Sequence, residues 1–98
     1  MPNWATAYDF EKLTVGNTAQ VLSASKYLVS GERKATQAII TVEDDAIRFR
    51  MDGTAPTAAI GHKLAVGSSV TLDGYDNIKN FKAIRVTNDA TIHVSYLR

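Results

Sequence analysis

Residues Ala46 to Leu64 read AIRFRMDGTAPTAAIGHKL. Ile47, Phe49 and Met51 alternate with Arg48, Arg50 and Asp52, and this period of two is that of a strand with one buried face and one charged face. The strand runs straight into a turn. Gly53 is free to take positive φ, Pro56 fixes its own φ and removes a donor, and small Thr and Ala residues lead on to Gly61-His62. Such a composition predicts a built loop rather than a floppy one.

Outward from this stretch, short apolar runs recur between turn signals, the spacing of an all-β sandwich or barrel. Tyr8 to Val15 and Ala19 to Ala24 are candidate strands on either side of Gly16-Asn17, with a weaker one from Lys26 to Val29. Thr36 to Glu43 is expected to form a hairpin with Ala46 to Met51 through Asp44-Asp45. Ser69 to Asp73 places Val70 and Leu72 inward, and Asp76 to Phe81 is consistent with one helical turn capped by Asp76. Lys82 to Thr87 and Ala90 to Tyr96 are expected to pair as a second hairpin around Asn88-Asp89. Parity assigns the core to Ile40, Val42, Ile47, Phe49, Leu72, Ile84, Val86, Ile92 and Val94. The expected fold is all-β, a compact sandwich or barrel-like domain of about seven or eight antiparallel strands over residues 13–98, preceded by an extended N-terminal arm over residues 1–12.

Within that arm Trp4, Thr6, Tyr8 and Phe10 share a parity, whereas Leu13 and Val15 take the other, which predicts a bulge or bend near Glu11-Lys12. The aromatic face either covers the domain's own core or docks on a neighbour. Asp9 and Glu11 lie among the rings, where a nucleic-acid stacking platform would want Lys and Arg.

The 98 residues suit one domain. Eleven Lys and Arg against ten Asp and Glu leave a net charge of +1, with no basic run longer than Arg33-Lys34; neither nucleic acid nor an anionic membrane is an expected partner. There is no cysteine, which excludes disulfides, thiolate metal sites and thiol nucleophiles. No apolar run approaches a membrane span, and MPNWATAYDF lacks the pattern of a signal peptide. A soluble protein that is not exported by that route is expected.

Catalytic and metal motifs are missing from the sequence. His93 alternates with Ile92 and Val94 and is expected to face solvent or a subunit contact, whereas His62 follows a glycine and reads as a hydrogen-bonding anchor rather than a ligand or base. Asp44, Asp45, Asp73 and Asp76 sit where turns use Asp for local backbone bonding. No Gly-x-Ser-x-Gly, P-loop or GxGxxG is present. A non-enzymatic protein without metal or cofactor is expected.

From Ala38 to Tyr96 the chain resembles a group of small tailed-phage proteins found among virion structural genes. The words that carry the resemblance are I-R-F-R, D-G-T-x-P-T, G-H, and F-x-A-I-R leading to A-T-x-H-V-S-Y. It implies a virion component assembled in the host cytoplasm: a capsid decoration, cement or vertex protein, or a small head or tail accessory. The implied partners are the major capsid protein or other virion proteins and further copies of this chain, with a trimer as the expected closed ring. On this reading the contact residues are Trp4, Tyr8, Phe10, Arg48, Arg50, Asp52 and His62. The charged stripe Arg48, Arg50 and Asp52 is otherwise the solvent face of an ordinary strand, and exposed pairs are worth little. The competing class is a carbohydrate-binding sandwich, with Trp4, Tyr8, Tyr75 and Tyr96 as candidate platform rings; against it, Tyr96 shares the parity of Ile92 and Val94 and is expected to face the core.

Overall fold

A computed structural model describes residues 6–29, 32–33 and 35–98, and the backbone alone of 29, 32 and 33. The strands are β1 (Ala7–Val15), β2 (Gln20–Val21), β3 (Leu28–Val29), β4 (Glu32–Arg33), β5 (Gln37–Glu43), β6 (Ile47–Arg50), β7 (His62–Leu64), β8 (Ser69–Asp73), β9 (Lys82–Arg85) and β10 (Ala90–Leu97), with two short helices, α1 (Ala24–Tyr27) and α2 (Tyr75–Lys79). Two four-stranded antiparallel sheets share the core, ordered β1-β10-β5-β8 and β2-β9-β6-β7, with β3 and β4 as a separate ribbon. The all-β, sandwich-like architecture expected from the alternation is present.

In the first sheet β5 and β10 are central. Ala38, Ile40 and Val42 lie opposite Tyr96, Val94 and Ile92, all of them buried. Ile47 and Phe49 supply the second sheet's inner face, and the Phe49 ring stacks on Phe81 with centroids 5.5 Å apart. Helices as short as α1 and α2 hold only by packing; Tyr27 and Tyr75 meet edge to face at 5.7 Å, one from each helix. The cap of α2 is Gly74, not Asp76.

Neither expected hairpin forms. β5 and β6 lie in different sheets, as do β9 and β10, so Asp44-Asp45 and Asn88-Asp89 turn the chain from one layer to the other. A hairpin and an arch between layers both keep alternating inward residues, and parity cannot tell them apart. The two arches are tied together. Asp45 accepts from the backbone N–H groups of Ala46 (2.8 Å) and Asn88 (2.9 Å), and the Thr91 hydroxyl donates to Asp44 at 2.6 Å. Asp44 takes φ 74°, a conformation that Asp tolerates better than most residues.

Strand β9 presents the face opposite to the expected one. Ala83 is buried, while Ile84 and Val86 are only half-buried. Phe81 sets this parity: its ring is buried against Phe49, and Ala83, two residues on, lies opposite Phe49 in the register, where a small side chain leaves room for the rings. A one-residue change of parity moves every side chain to the other face, and Ile84 goes outward.

Residues 7–12 are not an arm. They are the first two-thirds of β1, paired along β10 from Ala7↔Leu97 to Lys12↔His93. The register shift lies between Ala7 and Asp9 rather than near Glu11-Lys12. Glu11 has to face inward, because its carboxylate accepts from the Tyr96 hydroxyl and from the Ser23 hydroxyl (2.6 Å) and amide (3.1 Å). The change of parity therefore falls before it, at Tyr8.

Candidate interaction surfaces

The residues expected to make contacts fall on both sheets. Trp4 lies outside the described residues. Tyr8 is engaged within the chain: its hydroxyl donates to the Lys26 carbonyl at 2.7 Å, and the Arg98 guanidinium sits 5.3 Å above its ring. Burial, then the charge of Asp9, holds that hydroxyl above the usual tyrosine range. Phe10 is 52 % exposed on the outer face of the first sheet, and its ring lies 5.7 Å from that of His93, which pairs with Glu43 at 3.1 Å. The register continues that face from Phe10 through Ser95 and Ile39 to Thr71.

Arg48, Arg50, Asp52 and His62 belong to the second sheet and its loop. Arg48 is a brace: its Nε donates to the Ala58 carbonyl and its Nη1 to the Gly61 carbonyl, both at 2.9 Å. The loop so held also carries its own turn, in which Thr57 and Ile60 exchange backbone hydrogen bonds and the Thr57 hydroxyl accepts from Ile60 at 2.9 Å. Pro56 is buried beneath it, while Ala58, Ala59 and Ile60 are exposed at its tip. Gly61 has φ +137°, and a Cβ there would lie 3.1 to 3.2 Å from Pro56, Arg48 and the Phe49 carbonyl.

Arg50 forms a two-pronged ion pair with Asp52. That guanidinium holds the Asp52 carboxyl below the usual range. His62 opens β7 opposite Phe49, ring centroids 5.4 Å apart; it is edge-strand packing next to the loop.

The register also gathers residues that the sequence pattern did not single out. Lys63 lies opposite Arg48, and Lys82 lies opposite Arg50. All four cations occupy the outward face of the second sheet, because Ile47 and Phe49 between them are buried. Ile84 faces outward opposite Arg48, and Val21 opposite Lys82. The positions come from β2, β6, β7 and β9, so no run in the sequence could have displayed them together.

Of the rings expected for a sugar platform, the described Tyr8, Tyr75 and Tyr96 all make contacts within the chain. Tyr96 is fully buried with its hydroxyl on Glu11, and burial, then that acceptor, pushes its pKa well above the ordinary tyrosine value. Tyr75 packs on Tyr27. Among the described residues no group of three or more His, Asp or Glu side chains is arranged to hold a metal ion, and no helix is long and apolar enough to cross a membrane. No protein-family model, curated protein or solved structure matches the chain.

Proposed function

We propose that this chain is a non-enzymatic structural component of a tailed-phage particle, a capsid decoration or cement protein that binds the head surface and associates with its own copies. The observation that supports this most is what becomes of the words carrying the resemblance. I-R-F-R, D-G-T-x-P-T and G-H fold into one unit, in which Arg48 of the strand fastens the loop by two carbonyls and the strand after the loop pairs back onto it. A component of a repeating shell must present the same contact many times without reordering it, and a braced loop keeps the entropy lost on binding small. The apolar tip residue Ile60 is 60 % exposed, placed for burial against a lattice neighbour. A trimer is the proposed assembly, since closed cyclic symmetry limits growth of a self-associating domain.

Light scattering of the purified protein, alone and mixed with empty capsids of a phage that encodes it, tests the reading. The expected result is a small closed oligomer that co-migrates with particles. A monomer that never binds them would sink it.

A further inference from the structure

On the outward face of the second sheet, two pairs of cations stand directly opposite one another. Arg48 faces Lys63 across β6 and β7, and Arg50 faces Lys82 across β6 and β9. Side chains directly opposite on neighbouring strands lie about 5 Å apart at Cβ, and like charges so placed oppose pairing. A sheet face that only had to be wetted gains nothing from this arrangement.

Compensation within the chain is partial. Asp52 answers Arg50, and two loop carbonyls answer Arg48. Among the described side chains, no carboxylate makes an ion pair with Lys63 or Lys82. The nearby Asp45 has its oxygens on the Ala46 and Asn88 amides and acts on Lys63 only as a charge, without a close ion pair. Two aliphatic residues share the face, the half-buried Ile84 and Val21, which is 47 % exposed.

We infer that the face built by Val21, Arg48, Arg50, Lys63, Lys82 and Ile84 docks an acidic polypeptide surface that also presents aliphatic side chains. Charge complementarity selects the occupant: a carboxylate between each pair of opposed cations would turn their repulsion into attraction. A polypeptide fits better than a nucleic acid because aliphatic groups lie among the cations, and the described residues of this face include no aromatic ring on which unpaired bases would stack. This deepens the particle reading by naming the surface and the chemistry of what it meets.

The test titrates isotope-labelled protein, followed by NMR, with three probes: a synthetic peptide of glutamate and leucine, poly-glutamate, and a DNA duplex. The Glu/Leu peptide should bind best and move the amides of residues 48–50, 63 and 82–84, and added salt should weaken it. Lys63→Glu with Lys82→Glu should reduce affinity about tenfold or more, while Lys63→Arg with Lys82→Arg keeps it. Lys63 is exposed, so Lys63→Glu alone serves if the double variant does not fold. Shifts centred elsewhere, no binding, or equal binding by the charge-reversed protein would overturn the inference. Tighter binding of the duplex would replace it with a nucleic-acid surface, and self-association through this face without peptide would replace it with a second copy. The particle reading fails separately. Capsids that bind parent and charge-reversed protein alike remove the basic face and leave decoration standing, whereas peptide binding here by a protein that never binds capsids does the reverse.

Discussion

Single residues hold the most demanding parts of this structure. Gly61 combines φ +137° with three close neighbours, so Gly61→Ala meets backbone strain and a clash together. It should destabilise by about 1 to 3 kcal/mol, measured by denaturant unfolding, and speed hydrogen exchange in residues 52–61. Unchanged stability would mean that the loop is not held as described. Tyr96 offers a second test. Its buried hydroxyl donates to Glu11, and Tyr96→Phe leaves the volume filled while removing a donor from that carboxylate. The expected loss is about 1 to 3 kcal/mol, and a variant as stable as the parent would show that water replaces the bond. The glycine before His62 was legible as a turn residue, and Tyr96 as a core ring from its parity with Ile92 and Val94. Arg48 was not legible as a brace, because its acceptors at Ala58 and Gly61 are backbone carbonyls that no sequence pattern marks.

At the scale of elements, β1 carries more of the fold than an arm would. It pairs with β10 along its length and delivers Glu11 to the Ser23 and Tyr96 donors. Removing residues 1–12 should therefore abolish cooperative unfolding or lower the melting temperature sharply, whereas a chain beginning at residue 6 should still melt cooperatively. Calorimetry on the two truncations decides between them; equal melting would restore the arm. Strands β5, β6 and β10 were readable because each buries alternate branched or aromatic residues. Strand β9 was misread for a physical reason. Ile84 within it and Val86 just past its end, both β-branched, suggested one face, yet the larger ring of Phe81 at its entry, stacked on Phe49, fixed the other.

Across the whole molecule, the two layers are joined where Asp45 bridges the arches that cross between them. The amide of Ala46, then that of Asn88, holds its carboxyl below the usual range. A lowered folded-state pKa means that its stabilisation is complete above the unfolded value of about 4 and is lost as pH falls through the folded one. Asp45→Ala should thus melt earlier than the parent at pH 7, with the gap narrowing below about pH 4. A gap that does not change with pH would assign the effect to lost packing rather than to the charge. Local order along the chain determined the strand character, the turn sites and most of the core, because alternation and turn chemistry act between near neighbours. Which strands share a sheet, the facing of β9 and the gathering of Arg48, Arg50, Lys63 and Lys82 were decided only by tertiary structure. Pairing joins residues far apart in the chain, and its outcome depends on how rings such as Phe49 and Phe81 fill the space between the layers.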